Sequence, residues 1–162
     1  MPISDGAINK SSGSAIGYYG IDESNDSFDE SASGDDSFSS QLCQQWEAAA
    51  LQAQALGIRT CLLRTGIVLG EGGGALSKTL LAFRMGLGRR MGQGKHWMSW
   101  IHLDDLVGVI LHCSHHTNLH GAINGTSPNP VTNKTFTKTL GKVLERPAIL
   151  PMPGLLLKLL MG

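Results

Sequence analysis

Apolar and polar positions change their period several times along the chain. Phe38, Leu42, Trp46, Ala49 and Ala50 recur at helical spacing through FSSQLCQQWEAAALQAQA, which predicts an amphipathic helix ended by Gly57. The next run, RTCLLRTGIVLG, is short and glycine-bounded, the pattern of a buried strand. Helical spacing returns in ALSKTLLAFRMGL, and the basic, glycine-rich GLGRRMGQGK that follows reads as a loop. A strand-like HWMSWIH leads into a helix at DDLVGVILHCSHH, where Asp104 or Asp105 is expected to cap the N-terminus. GAINGT reads as a further strand and SPNP as a turn; TNKTFTKTLGKVLE reads as a helix capped by Thr132 or Asn133 and closed by Pro147. Strands alternating with helices predict an α/β fold with a mostly parallel sheet.

Charge refines this picture in one place. Seven of the thirteen acids fall between residues 22 and 36 in a serine-rich stretch, so 22–37 is expected to be a solvated acidic loop. Over the whole chain thirteen basic residues balance thirteen acidic ones, which removes the electrostatic case for nucleic acid or an anionic membrane surface as a partner. No apolar run is long enough to span a bilayer, and MPISDGAINK lacks a signal peptide's regions, so the chain reads as cytoplasmic. Cys43, Cys61 and Cys113 are odd in number and lack CxxC spacing; buried thiols are expected, without disulfide or zinc.

Three groups of residues carry candidate chemistry. Gly70, Gly72 and Ala75 fit G-x-G-x-x-G/A between a strand and a helix, but LGRRMGQGK stands where the ribose-binding acid would fall, which favours a plain loop. His112, Cys113, His115, His116 and His120 run off a helix end without a carboxylate among them, so no metal site is expected. His102, Asp104 and Asp105 are read as a strand-end hydrogen-bonder and a helix cap in preference to a catalytic group.

Taken in order, SGSAIGYYG, GDDSFSSQLCQQWEAAA, LLRTGIVLGEGGGAL, FRMGLGRRMGQGKHWMSWIHLDDLVGVILH, GAINGTSPNPVTNKTF and RPAILPMP resemble consecutive motifs of the YfcH-type NAD(P)-dependent epimerase-family proteins, an atypical branch of the short-chain dehydrogenase/reductases. The resemblance implies a Rossmann-like fold that binds NAD(P) and holds substrate with its C-terminal part. It also implies that residues 1–148 are the C-terminal half of such a domain, lacking the N-terminal dinucleotide-binding unit, with 149–162 opening a truncated family C-terminal segment. The approach to the first strand, DGAINKS, is poor in strand formers. Met1 is therefore read as the start of a truncated gene model or of a genuine short protein.

By the same resemblance Ser14 takes the place of the serine that orients a substrate carbonyl or hydroxyl. The Tyr-x-x-x-Lys pair that would shuttle the proton is replaced by Ser39 and Cys43, neither an equivalent shuttle, which leaves Tyr18 or Tyr19 as the substitute; paired aromatics ending a strand otherwise serve packing. The catalytic candidates are Ser14 and Tyr19. Thr65, Gly66, Ile67 and Val68 are expected to pass the nicotinamide end of NAD(P) through backbone groups, with Arg64 bracing the strand end. Nucleotide-sugar enzymes of the superfamily often carry Arg-Asp-aromatic-Ile-His before the late helix. Here Met98, Ser99, Trp100, Ile101 and His102 stand there, and the phosphate-clamping arginine is missing. Arg84, Arg89, Arg90 and Lys95 read equally as a solvated basic loop or as cations for an anionic ligand, and Arg84, Arg89, Lys95, Trp100 and His102 form the substrate-side set.

Two function classes follow. The first is a fragment of an NAD(P)-dependent epimerase or oxidoreductase, inactive alone, that supplies the substrate-side half of a cleft for a small molecule. The second is a non-catalytic partner that self-associates or pairs its sheet edge with another subunit, the missing N-terminal half among the options.

Overall fold

The computed structural model describes residues 9–20, 26–70, 72–85, 88–146 and 151–152. Two compact units emerge: residues 1–66 with 101–127, and residues 67–100 with 128–162.

The first unit is built on a parallel sheet. β1 (Asn9–Ala15), β2 (Arg59–Thr65) and β7 (Gly121–Gly125) lie in the order β1-β2-β7. Their register places Ser14 beside Arg64 and Arg64 beside Asn124, while Gly13, Leu63 and Ile123 form the adjoining row. Side chains alternate across a strand, so the two rows face opposite sides. α1 (Phe38–Leu51) covers the side of Ser14, Arg64 and Asn124. α3 (Leu103–His115) covers the other; Leu106 and Leu63 both approach Gly125 there. β2, flanked by strands and covered on both faces, is buried from Thr60 to Arg64, which explains its near-continuous apolar run. β1 begins at Asn9 despite its weak strand composition, and Asn9 to Ser11 remain exposed. Pairing with β2 supplies the order that local propensity does not.

α1 departs from the periodic reading in an instructive way. Phe38 is 83% exposed and Trp46 53%, and Ala49 is exposed too, whereas the buried positions are Ser40, Cys43, Glu47 and Ala50. The helix buries a face of small residues with one acid among them, and that acid, Glu47, is the counter-ion of Arg64. Ser40 Oγ accepts from Asp35 N–H at 3.0 Å and donates to Tyr18 O, tying α1 to the short 3-10 turn Ile16–Tyr19. Gly34 crosses so closely that a Cβ would lie 2.7 Å from Tyr18 O. Beyond a 3-10 turn at Gln52–Leu56, Gly57 ends the helical run at φ 73°, a left-handed conformation suited to glycine.

The second unit starts where Gly66 interrupts the predicted strand, after which β3 (Ile67–Leu69) continues the chain. α2 (Gly74–Arg84) packs on β3. HWMSWIH is divided at Ser99 into β5 (Trp97–Met98) and β6 (Trp100–His102), not one strand; the Ser99 carbonyl accepts instead from Ile67 N–H at 2.9 Å. β5 pairs antiparallel with β8 (Val131–Thr132), and β4 (Arg90–Met91) pairs parallel with β9 (Pro151–Met152). α4 (Asn133–Val143) is capped by Thr132, whose hydroxyl accepts from Thr135 N–H at 3.3 Å. Buried Asn133 accepts from Met91 N–H at 2.8 Å. Pro147 and, apart from Pro151 and Met152, the expected segment 149–162 lie outside the described residues.

Among the described residues no helix is long and apolar enough to cross a membrane. All three cysteines are buried and free.

The first turn of α1 depends on Ser37, whose hydroxyl accepts from Ser40 N–H at 3.4 Å. Ser37→Ala is expected to lower stability in urea denaturation by about 1 kcal/mol, and Ser37→Asp to retain most of it.

Candidate functional site

Three register neighbours, Ser14, Arg64 and Asn124, place polar side chains in one row near the carboxyl ends of three parallel strands. In open parallel α/β sheets that is the end at which ligands bind. Arg64 is the centre. It is 4% exposed, and its Nε and Nη2 each reach a Glu47 carboxylate oxygen at 2.9 Å, a bidentate pair with Glu47 itself 6% exposed. Ser14 Oγ donates to Glu47 Oε1 at 2.7 Å. The guanidinium carbon sits 3.4 Å from the Tyr18 ring centroid, a cation-π contact. Its Nη1 donates to Tyr19 Oη at 3.0 Å, and Tyr19 Oη in turn donates to Asn124 Oδ1 at 2.7 Å. Burial by itself pulls the Arg64 pKa down. The hydrogen bonds to Glu47 and Tyr19 and the Glu47 charge outweigh it, so the net shift is upward and the side chain stays a cation.

The acidic loop closes over this cluster. Phe28 stacks on Tyr19 with ring centroids 5.7 Å apart, Asn124 N–H donates to Glu30 Oε1 at 2.8 Å, and Arg64 Nη1 lies 3.4 Å from the Glu30 carbonyl oxygen. The stretch expected to be merely solvated thus sends one carboxylate and one aromatic ring inward. At its rim Asp29 behaves as a surface acid: hydrogen bonds from the Ser31 side chain and backbone hold its pKa below the ordinary value.

Hydrogen-bond inventory decides what the cluster can do. A tyrosine hydroxyl has one proton to give and two lone pairs. Tyr19 gives its proton to Asn124 and takes one bond from Arg64, so among the described residues one lone pair is left for a donor from outside. Ser14 is buried, and its proton goes to Glu47, so it braces the ion pair where a substrate-orienting serine was expected. Tyr19, half-buried, is the member of the pair open to a ligand.

The remaining candidates are distributed more widely. Thr65 and Gly66 close the first unit while Ile67 and Val68 open the second. Gly66 N–H donates to Gly125 O at 3.1 Å and Ile67 N–H to Ser99 O at 2.9 Å, and Thr65 Oγ1 donates to Leu63 O at 3.3 Å. These donors are already engaged. The stretch therefore does not fit a nicotinamide carboxamide through the amides of residues 66 and 67, and a cofactor passing there meets carbonyls and side chains. Gly72 and Gly74 at the start of α2 adopt φ of 83° and 69°, with open space around them, and no side chain caps this helix among the described residues. Residue 71 of the same glycine run lies outside the described residues.

Within the second unit, Arg84 is exposed in the last turn of α2, Lys95 is exposed, Arg89 is half-buried, and Trp100 Nε1 donates to Asn129 O at 3.1 Å. Arg90 Nε is buried with no hydrogen-bond partner among the described residues. His102 belongs to the first unit. It, and neither Asp104 nor Asp105, is the cap of α3: Nδ1 accepts from Asp104 N–H at 3.2 Å, and both acids sit in the first turn, where the helix dipole favours them. Ser39 Oγ lies 3.3 Å from Ser37 Oγ, and Cys43 is buried against the sheet. The rings of His112 and His116 meet at the end of α3 with centroids 3.9 Å apart and planes tilted by 38°. No group of three His, Cys, Asp or Glu side chains that could hold a metal ion occurs among the described residues.

Sequence reasoning missed Glu47, Asn124 and Glu30. An arginine inside an otherwise apolar strand was the available signal, since such a charge demands a buried acid, and Glu47 sits one and two turns from buried Cys43 and Ser40.

A parallel sheet covered on both faces, with its polar row at the strand ends, is an α/β arrangement of the Rossmann-like kind. The profile of the NAD dependent epimerase/dehydratase family matches residues 11–124, and the chain belongs to that family. It is 42% identical over 151 residues to the chloroplastic epimerase family protein SDR39U1 homolog of Arabidopsis thaliana, covering 93% of this chain and 43% of the relative. To epimerase family protein ML0860 of Mycobacterium leprae it is again 42% identical over 151 residues, covering 92% and 48%. The crystal structure of human SDR39U1 with NADPH superposes with a TM-score of 0.83 at 36% identity, over 91% of this chain and 50% of that one. Thermus thermophilus UDP-glucose 4-epimerase, in complex with NAD, shares the fold with a TM-score of 0.74 at 16% identity. The chain spans about half the length of the curated relatives it matches.

Because Glu47 is the counter-charge of a buried cation, Glu47→Ala is expected to destabilise the chain by roughly 3–5 kcal/mol in urea denaturation. The double variant Glu47→Leu with Arg64→Met is expected to recover much of that loss, because the unpaired charge is gone.

Proposed function

We propose that this chain is the substrate-side half of an NAD(P)-dependent, epimerase-family cleft, and that Tyr19 is its contact with the reacting oxygen. The observation that carries the reading is the polar row Ser14–Arg64–Asn124 at the carboxyl ends of the parallel strands, with Tyr19 suspended between Arg64 and Asn124. Arg64, held by Glu47, keeps a positive charge against the phenol oxygen. The guanidinium thus stands as a charged donor beside the phenol oxygen, where the usual pair has a lysine. NAD(P), when bound, supplies hydride chemistry; the residues described here orient an oxygen and hold or release its proton.

The direction of the free hydrogen-bonding capacity narrows the substrate. With its proton engaged by Asn124 and a lone pair open, Tyr19 receives an alcohol directly; a ketone has to displace Asn124 first. Support for the cofactor comes from the human relative, whose structure was determined with NADPH. That this chain covers half of that structure supports the further reading that these 162 residues alone do not retain the dinucleotide.

Two measurements test the reading. In amide NMR of the purified chain, cyclohexanol is expected to shift the Tyr19 and Asn124 resonances more than cyclohexanone does, and Tyr19→Phe to abolish the difference; equal or reversed shifts sink the assignment of Tyr19. In a fluorescence titration the purified chain is expected to show no micromolar affinity for NADPH, and binding in that range rules out the half-cleft.

A further inference from the structure

The overall balance of thirteen bases and thirteen acids conceals a separation of charge. The second unit, 67–100 with 128–162, holds ten of the lysines and arginines and only two of the acids, Glu71 and Glu145, a net of +8. The first unit holds three bases and eleven acids, a net of −8. Seven of those eleven acids fall between residues 22 and 36, and no lysine or arginine occurs anywhere from residue 11 to residue 58. In that acidic loop Asp29, Glu30 and Asp36 are exposed.

On the basic side α4 organises the charge. Lys134, Lys138 and Lys142 recur every four residues, so they share one face of the helix, and all three are exposed. Lys134 N–H donates to Gly94 O at 2.9 Å and Asn133 N–H to His96 O at 3.0 Å, which seats the segment holding exposed Lys95 against the first turn of α4. Like charges at a four-residue spacing weaken a helix. Among the described residues no ion pair relieves these lysines; the two that occur, Arg64–Glu47 and His102–Asp104, both lie in the first unit.

We propose that the lysine face of α4 docks on the acidic loop of a second copy of this chain. Charge complementarity selects that occupant, because the chain itself carries the opposite surface with a net charge of equal size. A nucleic acid drawn to α4 is repelled by the net −8 of the first unit, whereas a second copy brings an acid surface to the lysines and a lysine surface to the acids. Made reciprocally, the contact occurs twice in a two-fold dimer. The loop also carries Phe28 and Glu30 against the Tyr19 cluster, so the contact lies beside the candidate site of each copy. Exposed charges meet in it, so it weakens as the screening length falls from about 10 Å in 0.1 M salt to about 3 Å in 1 M.

Sedimentation velocity of the purified 162-residue chain tests this. The expected result is a dimer in about 0.1 M salt and a monomer in about 1 M. The triple variant Lys134→Glu, Lys138→Glu, Lys142→Glu and the double variant Asp29→Lys, Asp36→Lys are each expected to be monomeric at the lower salt. An equal mixture of the two is expected to form a mixed dimer, since the acidic loop of one still meets the lysine face of the other; misfolded chains give no such recovery. If the triple variant fails to fold, the Lys→Gln replacements at the same positions are expected to lose the dimer in its place. A monomer at the lower salt, whether or not it retains a single-stranded oligonucleotide, overturns the proposal. So does a dimer that survives about 1 M salt or either set of charge reversals, or a mixture that stays monomeric.

Discussion

The first unit depends on satisfying one buried cation. Arg64 stands in the central strand, where burial penalises its charge, and it is retained because α1 brings Glu47 against it in bidentate geometry. Much of the local structure follows from that requirement. α1 turns the face holding Glu47 to the sheet, Tyr18 slides beneath the guanidinium, and Ser14 spends its proton on the carboxylate. Apolar side chains of similar volume often pack about as stably as a buried ion pair, so the pair is better explained by position than by stability: it fixes Nη1 against Tyr19.

The two faces of β2 divide the chemistry. Even-numbered positions carry the Arg64 cluster under α1, and odd-numbered positions carry Arg59 and Cys61 under α3. Each face holds an arginine that ties neighbouring elements together. Arg64 reaches a carboxylate and a phenol, whereas Arg59 reaches backbone carbonyls, a thiol and an asparagine. The sheet's alternation keeps the two sets from sharing partners.

Much of this fold was legible in the order of apolar runs. The strands at RTCLLRT and GAING and the helices they alternate with came from period and punctuation alone. Three features resisted. The exposed Phe38 and Trp46 misled the reading of α1, because periodicity identifies an apolar stripe and cannot say that a buried arginine competes for the opposite one. Capping of α3 went to His102, because the helix begins at Leu103 and both aspartates already lie inside its first turn, a boundary that residue type does not reveal. Of the site, Tyr19 and Ser14 were visible through the resemblance, whereas Asn124 and Glu30 are distant in sequence and are joined to Tyr19 and Arg64 only by strand register and loop closure.

Loop closure also constrains how the cluster meets a ligand. Phe28 lies against one face of Tyr19, and Glu30 occupies the Asn124 amide, so the approach to the phenol runs past an acid and an aromatic ring. A ligand with its own carboxylate or phosphate would meet the Glu30 carboxylate as repulsion, while Arg64 already spends two of its donors on Glu47. A neutral hydroxyl faces no such penalty and finds the open lone pair on Tyr19. On the role proposed for Tyr19, the charge arrangement and the hydrogen-bond count favour the same kind of group, an uncharged alcohol.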